Sequence, residues 1–240
     1  MTTPHARPSV TSPPPIRSAS VFPVRPVVLR TVLLAALLSL MLGGCGLEEA
    51  PSRDVRGADS FEDDVQGARA LSEEFWKQQF AALGQTYRPI SRFIPYSGDS
   101  GPSCGGEPAV PNNAFYCPLG HFIAYDQSWM EGLWSQMGDG SVYLIIPHEF
   151  GHAVQAQLQT GFQLNVQIEL QADCYAGGTL KALIDSGALT AEPGDEDELM
   201  LNLEAAGDPT DDWLNPAAHG TAEQRQRSFA TGYTRGVGAC

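Results

Sequence analysis

The chain runs to 240 residues, with 14 basic against 28 acidic side chains and a formal charge of −14. That length leaves room for one domain with a substantial core. So acidic a protein repels nucleic acid and anionic headgroups, and it carries neither a basic patch nor a phosphate-binding glycine loop, which excludes nucleic-acid partners.

Residues 1–44 read as a lipoprotein signal peptide. Arg7, Arg17, Arg25 and Arg30 make a positive front with no acidic residue among them. The apolar run from Thr31 to Leu42 that follows is too short to span a bilayer comfortably. Leu42-Gly43-Gly44-Cys45 resembles the bacterial lipobox, in which small residues precede a cysteine that becomes lipidated and N-terminal. A plain secretory signal and a retained membrane anchor are the alternatives. Lipidation of Cys45 would tether the protein to a membrane with everything downstream outside the cytoplasm, as a lipoprotein of the cell envelope. His5 leaves with the signal, residues 45–60 form a flexible tether, and 61–240 are the folded domain.

That domain opens with Phe61, Val65, Ala68, Leu71, Phe75, Phe80 and Leu83 at near-helical spacing, and Ser60 with Asp63 resembles a capping start. Strand-like segments follow at 87–94, 114–117 and 122–125. The last two flank Pro118-Leu119-Gly120-His121 as a hairpin, with His121 an exposed strand residue. Beyond them the pattern is helical, broken by loops at 191–194 and 207–216. One helix over 142–160, closed by Gly161 at C′, and another over 165–184 make a helical hairpin. The expected class is α+β, mostly helical, with a small sheet beside the first of these helices.

His148-Glu149-Phe150-Gly151-His152 reads H-E-x-x-H. On a helix, residues four apart project from one face, about 6 Å apart along the axis. Two imidazoles so placed reach one tetrahedral Zn²⁺ at roughly 2.0–2.1 Å, and Glu149 lies beside the metal, where it can take a proton from water. Gly151 costs roughly 1 kcal/mol in a helix interior, which points to a close neighbouring backbone. His152 lies nine residues before Gly161 and Glu169 eight residues after it. Antiparallel helices therefore bring Glu169 level with His152 as the third ligand, leaving a position for water or substrate. Asp173, four residues on, can accept a hydrogen bond from the far nitrogen of a ligating histidine, His148, and fix its orientation. The alternative is a solvated face bearing a like-charge pair, which the embedding Ile168-Glu169-Leu170-Gln171-Ala172-Asp173-Cys174-Tyr175-Ala176 disfavours.

The motif and the segment Glu169-Leu170-Gln171-Ala172-Asp173-Cys174-Tyr175-Ala176-Gly177 together resemble a bacterial neutral zinc metallopeptidase family. Phe115-Tyr116-Cys117-Pro118 and His219-Gly220-Thr221-Ala222-Glu223-Gln224-Arg225 fit it as well, so the resemblance covers roughly residues 61–240. It implies a zincin-like α+β fold whose third ligand is glutamate, with His148, His152 and Glu169 on the metal and Glu149 as base, and, by analogy with zincins, an edge strand of the sheet that would bind a peptide by strand addition. The family pattern would place an arginine just before Glu169, where this chain has Val166-Gln167-Ile168.

With Cys45 set aside, four cysteines remain, an even number suited to an oxidising compartment. Three pairings are possible. The favoured one joins Cys104 to Cys117, stapling a Gly-, Pro- and Asn-rich loop at about 3 kcal/mol, and Cys174 to Cys240. Cys174 as a metal ligand is disfavoured, because five residues after Glu169 it lies about 140° around the helix. His219, before the capping pattern Thr221-Ala222-Glu223-Gln224, either hydrogen-bonds a developing oxyanion or serves structure at a helix entry. Asp195-Glu196-Asp197-Glu198 suits the first turn of a helix, with calcium as a further use of so many oxygens.

These observations describe a zinc-dependent peptidase acting on proteins or peptides and tethered through Cys45. The rival readings are a non-proteolytic zinc- or partner-binding lipoprotein on the same scaffold, a metal-free envelope protein, and a zinc hydrolase of some other bond.

Overall fold

The computed structural model of the chain describes residues 60–240; the expected signal over 1–44, Cys45 and all but the last residue of the expected tether lie outside the described residues. Helix α1 (Phe61–Ala82) starts where Ser60 accepts a hydrogen bond from the Asp63 backbone while the Asp63 carboxylate reaches back, closing the capping box. Its Val65, Ala68, Phe75, Trp76 and Phe80 are buried. The sheet comprises β1 (Arg92–Tyr96), β2 (Ala114–Cys117) and β3 (Phe122–Asp126) in the order β1-β3-β2. β3 pairs parallel with β1 and antiparallel with β2, so β2 is an edge strand. Helices α2 (Gln127–Met137), α3 (Gly140–Leu158), α4 (Asn165–Asp185), α5 (Asp195–Ala205) and α6 (Ala222–Arg235) complete an α+β fold that is mostly helical. Among the described residues, no helix is long and apolar enough to cross a membrane.

Three expectations need correction. β1 begins at Arg92, not at residue 87, because its register is set by the parallel partner: Arg92 pairs with Phe122 and Tyr96 with Asp126. α3 closes before Gly161, because Gln159 itself takes the left-handed cap conformation (φ 53°). His121 is not an exposed strand residue; it sits at φ 48° in the turn after β2 and is only 5% exposed. There its ring bridges the Tyr116 hydroxyl and the Arg88 carbonyl.

The core lies between α1, α3, α4 and the sheet, with Phe150, Val154, Met130, Ile146 and Tyr125 almost fully enclosed. Glycines decide how closely the helices approach. A Cβ on Gly151 would stand 3.0 Å from the Ala172 Cα, so the backbone of α4 is the close neighbour of the motif. On the other side of α4, a Cβ on Gly232 of α6 would stand 1.8 Å from the Cys174 carbonyl oxygen, and one on Gly177 would stand 2.2 Å from that of Phe229. No side chain other than hydrogen fits between these two helices at those points. The Cys104–Cys117 and Cys174–Cys240 disulfides are both formed, the first across the loop leading into β2 and the second tying the segment after α6 to α4.

Candidate metal centre

α3 is buried through most of its length, and its two histidines sit where it crosses α4. Pro147 removes one helical hydrogen bond immediately before His148. Antiparallel α4 brings Glu169 back to the same level. His148 Nε2 and His152 Nε2 stand 3.1 Å apart, His148 Nε2 lies 3.3 Å from Glu169 Oε2, and His152 Nε2 lies 3.6 Å from Glu169 Oε1. Donors about 2.0–2.1 Å from a tetrahedral zinc stand roughly 3.3–3.4 Å from one another. The trio therefore matches the edges of such a coordination polyhedron.

The far side of each ring decides its tautomer. His148 Nδ1 faces Asp173 Oδ1 at 2.9 Å, and His152 Nδ1 faces Gln155 Oε1 at 2.9 Å. Both partners accept, so both Nδ1 atoms carry hydrogen and both Nε2 lone pairs converge on one point. Two lone pairs 3.1 Å apart repel unless a proton or a cation lies between them. Burial works against charge on His148, yet the Asp173 and Glu169 carboxylates outweigh it and push its pKa up to about 10. Burial likewise opposes the Glu169 carboxylate, and the two imidazoles outweigh it, holding the group well below the usual carboxylate range. A divalent cation satisfies the same set without protons. Residues and geometry fit zinc.

Asp173 is wholly buried and bound on both oxygens by Arg225, Nε to Oδ2 at 2.9 Å and Nη2 to Oδ1 at 2.8 Å. Despite burial, Arg225 and His148 keep its carboxyl below its ordinary range. The arginine that supports the ligand set thus comes from α6, and not from the residue before Glu169. Sequence reading gave roles to neither Arg225 nor Gln155. Gln155 was accessible to it, three residues after His152 on the same helical face; Arg225, 52 residues from its partner, offered no such periodic signal. Replacing Gln155 by Ala leaves the His152 ring without its acceptor, and zinc affinity should fall about 10- to 100-fold, read by competition with a chromophoric chelator.

Glu149 is 5% exposed, and its Oε2 is buried with no hydrogen-bond partner. Burial pushes its carboxyl up, against the pull of the neighbouring histidines and the Tyr116 backbone N–H. An orphaned carboxylate oxygen beside the trio is where a water's proton would be received. The trio and Glu149 open into a cleft of about 880 Å³, walled on one side by the β2 edge at Asn113, Ala114, Phe115 and Tyr116, and elsewhere by Trp129, Leu133, Asn202 and His219. His219 is half exposed; its backbone N–H donates to Asp208 at 2.6 Å, and its ring Nδ1 lies 3.8 Å from the other oxygen of that carboxylate. Cys174 faces away into its disulfide. Asp195 and Glu198, in the first turn of α5, approach Asp139 at the start of α3 to form a separate acidic group. Desolvation and the neighbouring carboxylates push Asp139 up to about 6.

A largely enclosed His-His-Glu trio on antiparallel helices, with a glutamate at its side and a cleft against a sheet edge, makes a candidate centre for a divalent metal ion. The chain belongs to the family described as "Putative neutral zinc metallopeptidase", whose model matches residues 48–240. Among curated proteins it is 31% identical over 195 residues to the uncharacterized protein YpfJ of Escherichia coli, covering 70% of this chain and 66% of that one. It is 33% identical over 180 residues to the uncharacterized protein Rv2575 of Mycobacterium tuberculosis, covering 62% and 60%. The chain therefore spans slightly less than two thirds of the length of these relatives. No solved structure matches it.

Proposed function

We propose that the protein is a zinc-dependent peptidase that cleaves peptide bonds with Glu149 as general base. The observation that carries this reading is the coincidence, in one cleft, of three donors within 4.8 Å of one another and a buried glutamate oxygen without a partner. Bound zinc would supply Lewis acidity and bring the pKa of a water to about 7. His148, His152 and Glu169 would hold the ion, with Asp173 and Gln155 fixing the two rings. Glu149 accepts the water's proton and returns it to the leaving amine. A substrate strand laid along β2 would find the unpaired backbone of an edge strand and present its carbonyl to the cleft. His219, steadied by Asp208, stands in the wall of the same cleft, where an imidazole donor can stabilise negative charge on that carbonyl oxygen. We also place the protein outside the cytoplasm, held by lipid on Cys45; two disulfides in a chain of this size suit an oxidising compartment.

The competing reading is a zinc- or partner-binding lipoprotein without hydrolytic activity. Glu149 speaks against it, since a site that only binds metal has no use for a buried base. Elemental analysis of the purified protein together with a cleavage assay on an unfolded protein substrate tests both. One zinc per chain with cleavage that a chelator abolishes is the expected result. One zinc with no cleavage of any unfolded substrate would favour the binding protein, and no metal at all would end the peptidase reading and leave a partner-binding protein without a metal.

A further inference from the structure

The second histidine of the motif is tied to the distant Cys174–Cys240 disulfide by an unbroken run of hydrogen bonds. His152 Nδ1 donates to Gln155 Oε1 at 2.9 Å, Gln155 Nε2 donates to Gln171 Oε1 at 3.1 Å, and Gln171 Nε2 donates to the Cys240 backbone oxygen at 3.1 Å. The direction of this run is dictated from its far end. A backbone oxygen only accepts, so Gln171 must turn its amide NH₂ toward Cys240 and its oxygen toward Gln155. Gln155 must then present NH₂ to Gln171 and oxygen to His152. His152 is left with hydrogen on Nδ1 and a lone pair on Nε2, the form a metal requires. Gln155 also donates to the Ile168 carbonyl at 2.7 Å, which sets the same polarity from the backbone one residue before Glu169.

Residue 240 is where it is because of covalent chemistry. Its sulfur is bonded to Cys174 on α4, and the short turn Val237–Ala239 that precedes it packs on Gly178, where a Cβ would come within 2.7 Å of Val237. Without the disulfide, the acceptor that Gln171 needs would be held by the bonds of a single 3-10 turn and the packing of Val237.

We propose that Gln171 and the Cys174–Cys240 disulfide are positioning elements of the metal site, acting through Gln155 to hold His152 in its metal-binding tautomer and orientation. The proposal rests on the reading of His148, His152 and Glu169 as zinc ligands. It makes the disulfide more than a staple: its loss weakens metal binding as well as the fold.

The test measures zinc affinity of the full chain by chelator competition, beside thermal melting of the metal-free protein. Gln171→Leu keeps the volume of the side chain but cannot relay hydrogen bonds. Its zinc dissociation constant should rise roughly threefold to tenfold, within the range of coupling in one hydrogen-bond network, with the melting of the metal-free protein unchanged. Cys240→Ala should show a similar or larger loss of affinity together with a lower melting temperature. Combining Gln171→Leu with Cys240→Ala should weaken zinc binding no further than Cys240→Ala alone. Gln171→Leu binding zinc as tightly as the native chain would overturn the proposal, meaning that the Ile168 carbonyl alone orients Gln155. Fully additive losses in the double variant would overturn it too. A native chain that takes up no zinc would instead bring down the ligand assignment on which the proposal stands.

Discussion

Glu149→Ala should hydrolyse peptides about 10²- to 10⁴-fold more slowly than the native chain while still holding one zinc. Glu149 is on the same helix as both imidazoles but is not one of the three converging donors, and its carboxyl is buried beside them. Removing it takes a base from the cleft without taking a ligand from the ion. Glu149→Gln sharpens the test, because it retains size and hydrogen bonding and loses only the ability to accept a proton. Both variants should therefore lose kcat far more than they change KM. Metal content is read in the same preparation by elemental analysis. Inactivity with zinc lost would make Glu149 a ligand or a folding residue; full activity with zinc retained would remove it from the chemistry altogether.

Much of this site could be read from spacing. The interval of four between His148 and His152 sets two donors on one helical face, and near-equal arms about the turn at 161 return Glu169 to their level; the distances of 3.3 and 3.6 Å follow from that count. Asp173 is one helical turn further on and meets His148 as its position requires. What spacing could not give is whatever tertiary packing decides. Gln155 carries no charge, so nothing about its residue type advertises a role, although it occupies the right face. Arg225 reaches Asp173 only because glycines 177, 178 and 232 let α6 and the segment after it lie on the backbone of α4. His121 looked like a surface residue in a hairpin; burial followed from a left-handed turn that aims its ring at Arg88 and Tyr116. The start of β1 moved because a parallel neighbour, absent from any local pattern, fixes its register. Local chemistry was legible where it depended on one helix or one hairpin. Support from a third element was not.

That third element yields the largest expected effect on stability. Arg225→Met should destabilise the fold by about 3–5 kcal/mol at neutral pH, because it strands a carboxylate in the interior. Asp173 has no solvent exposure, and both of its oxygens are bound by the guanidinium; among the described residues His148 is its other hydrogen-bond partner. The pH dependence follows from the sign of the shift. Asp173 is held below its ordinary value of 3.8 in the native fold. An acid of depressed pKa stabilises the fold at pH values above its unfolded pKa, and that contribution is lost as pH falls through the folded pKa. The native chain should thus keep this contribution down to about pH 4. In Arg225→Met the carboxyl loses its cation, its pKa rises, and protonation relieves the stranded charge at a higher pH. The gap in unfolding free energy between the two proteins, from urea titrations of the metal-free forms, should therefore narrow as the solution is acidified. Replacing both partners, Asp173→Leu with Arg225→Met, removes the unpaired charge and should recover much of the lost stability, since apolar groups of similar volume can stand in for a buried ion pair. Zinc affinity should not recover with it, because His148 would still lack the acceptor at Nδ1. Recovery of both together would mean that Asp173 serves the fold alone, whereas recovery of stability without affinity separates its two tasks.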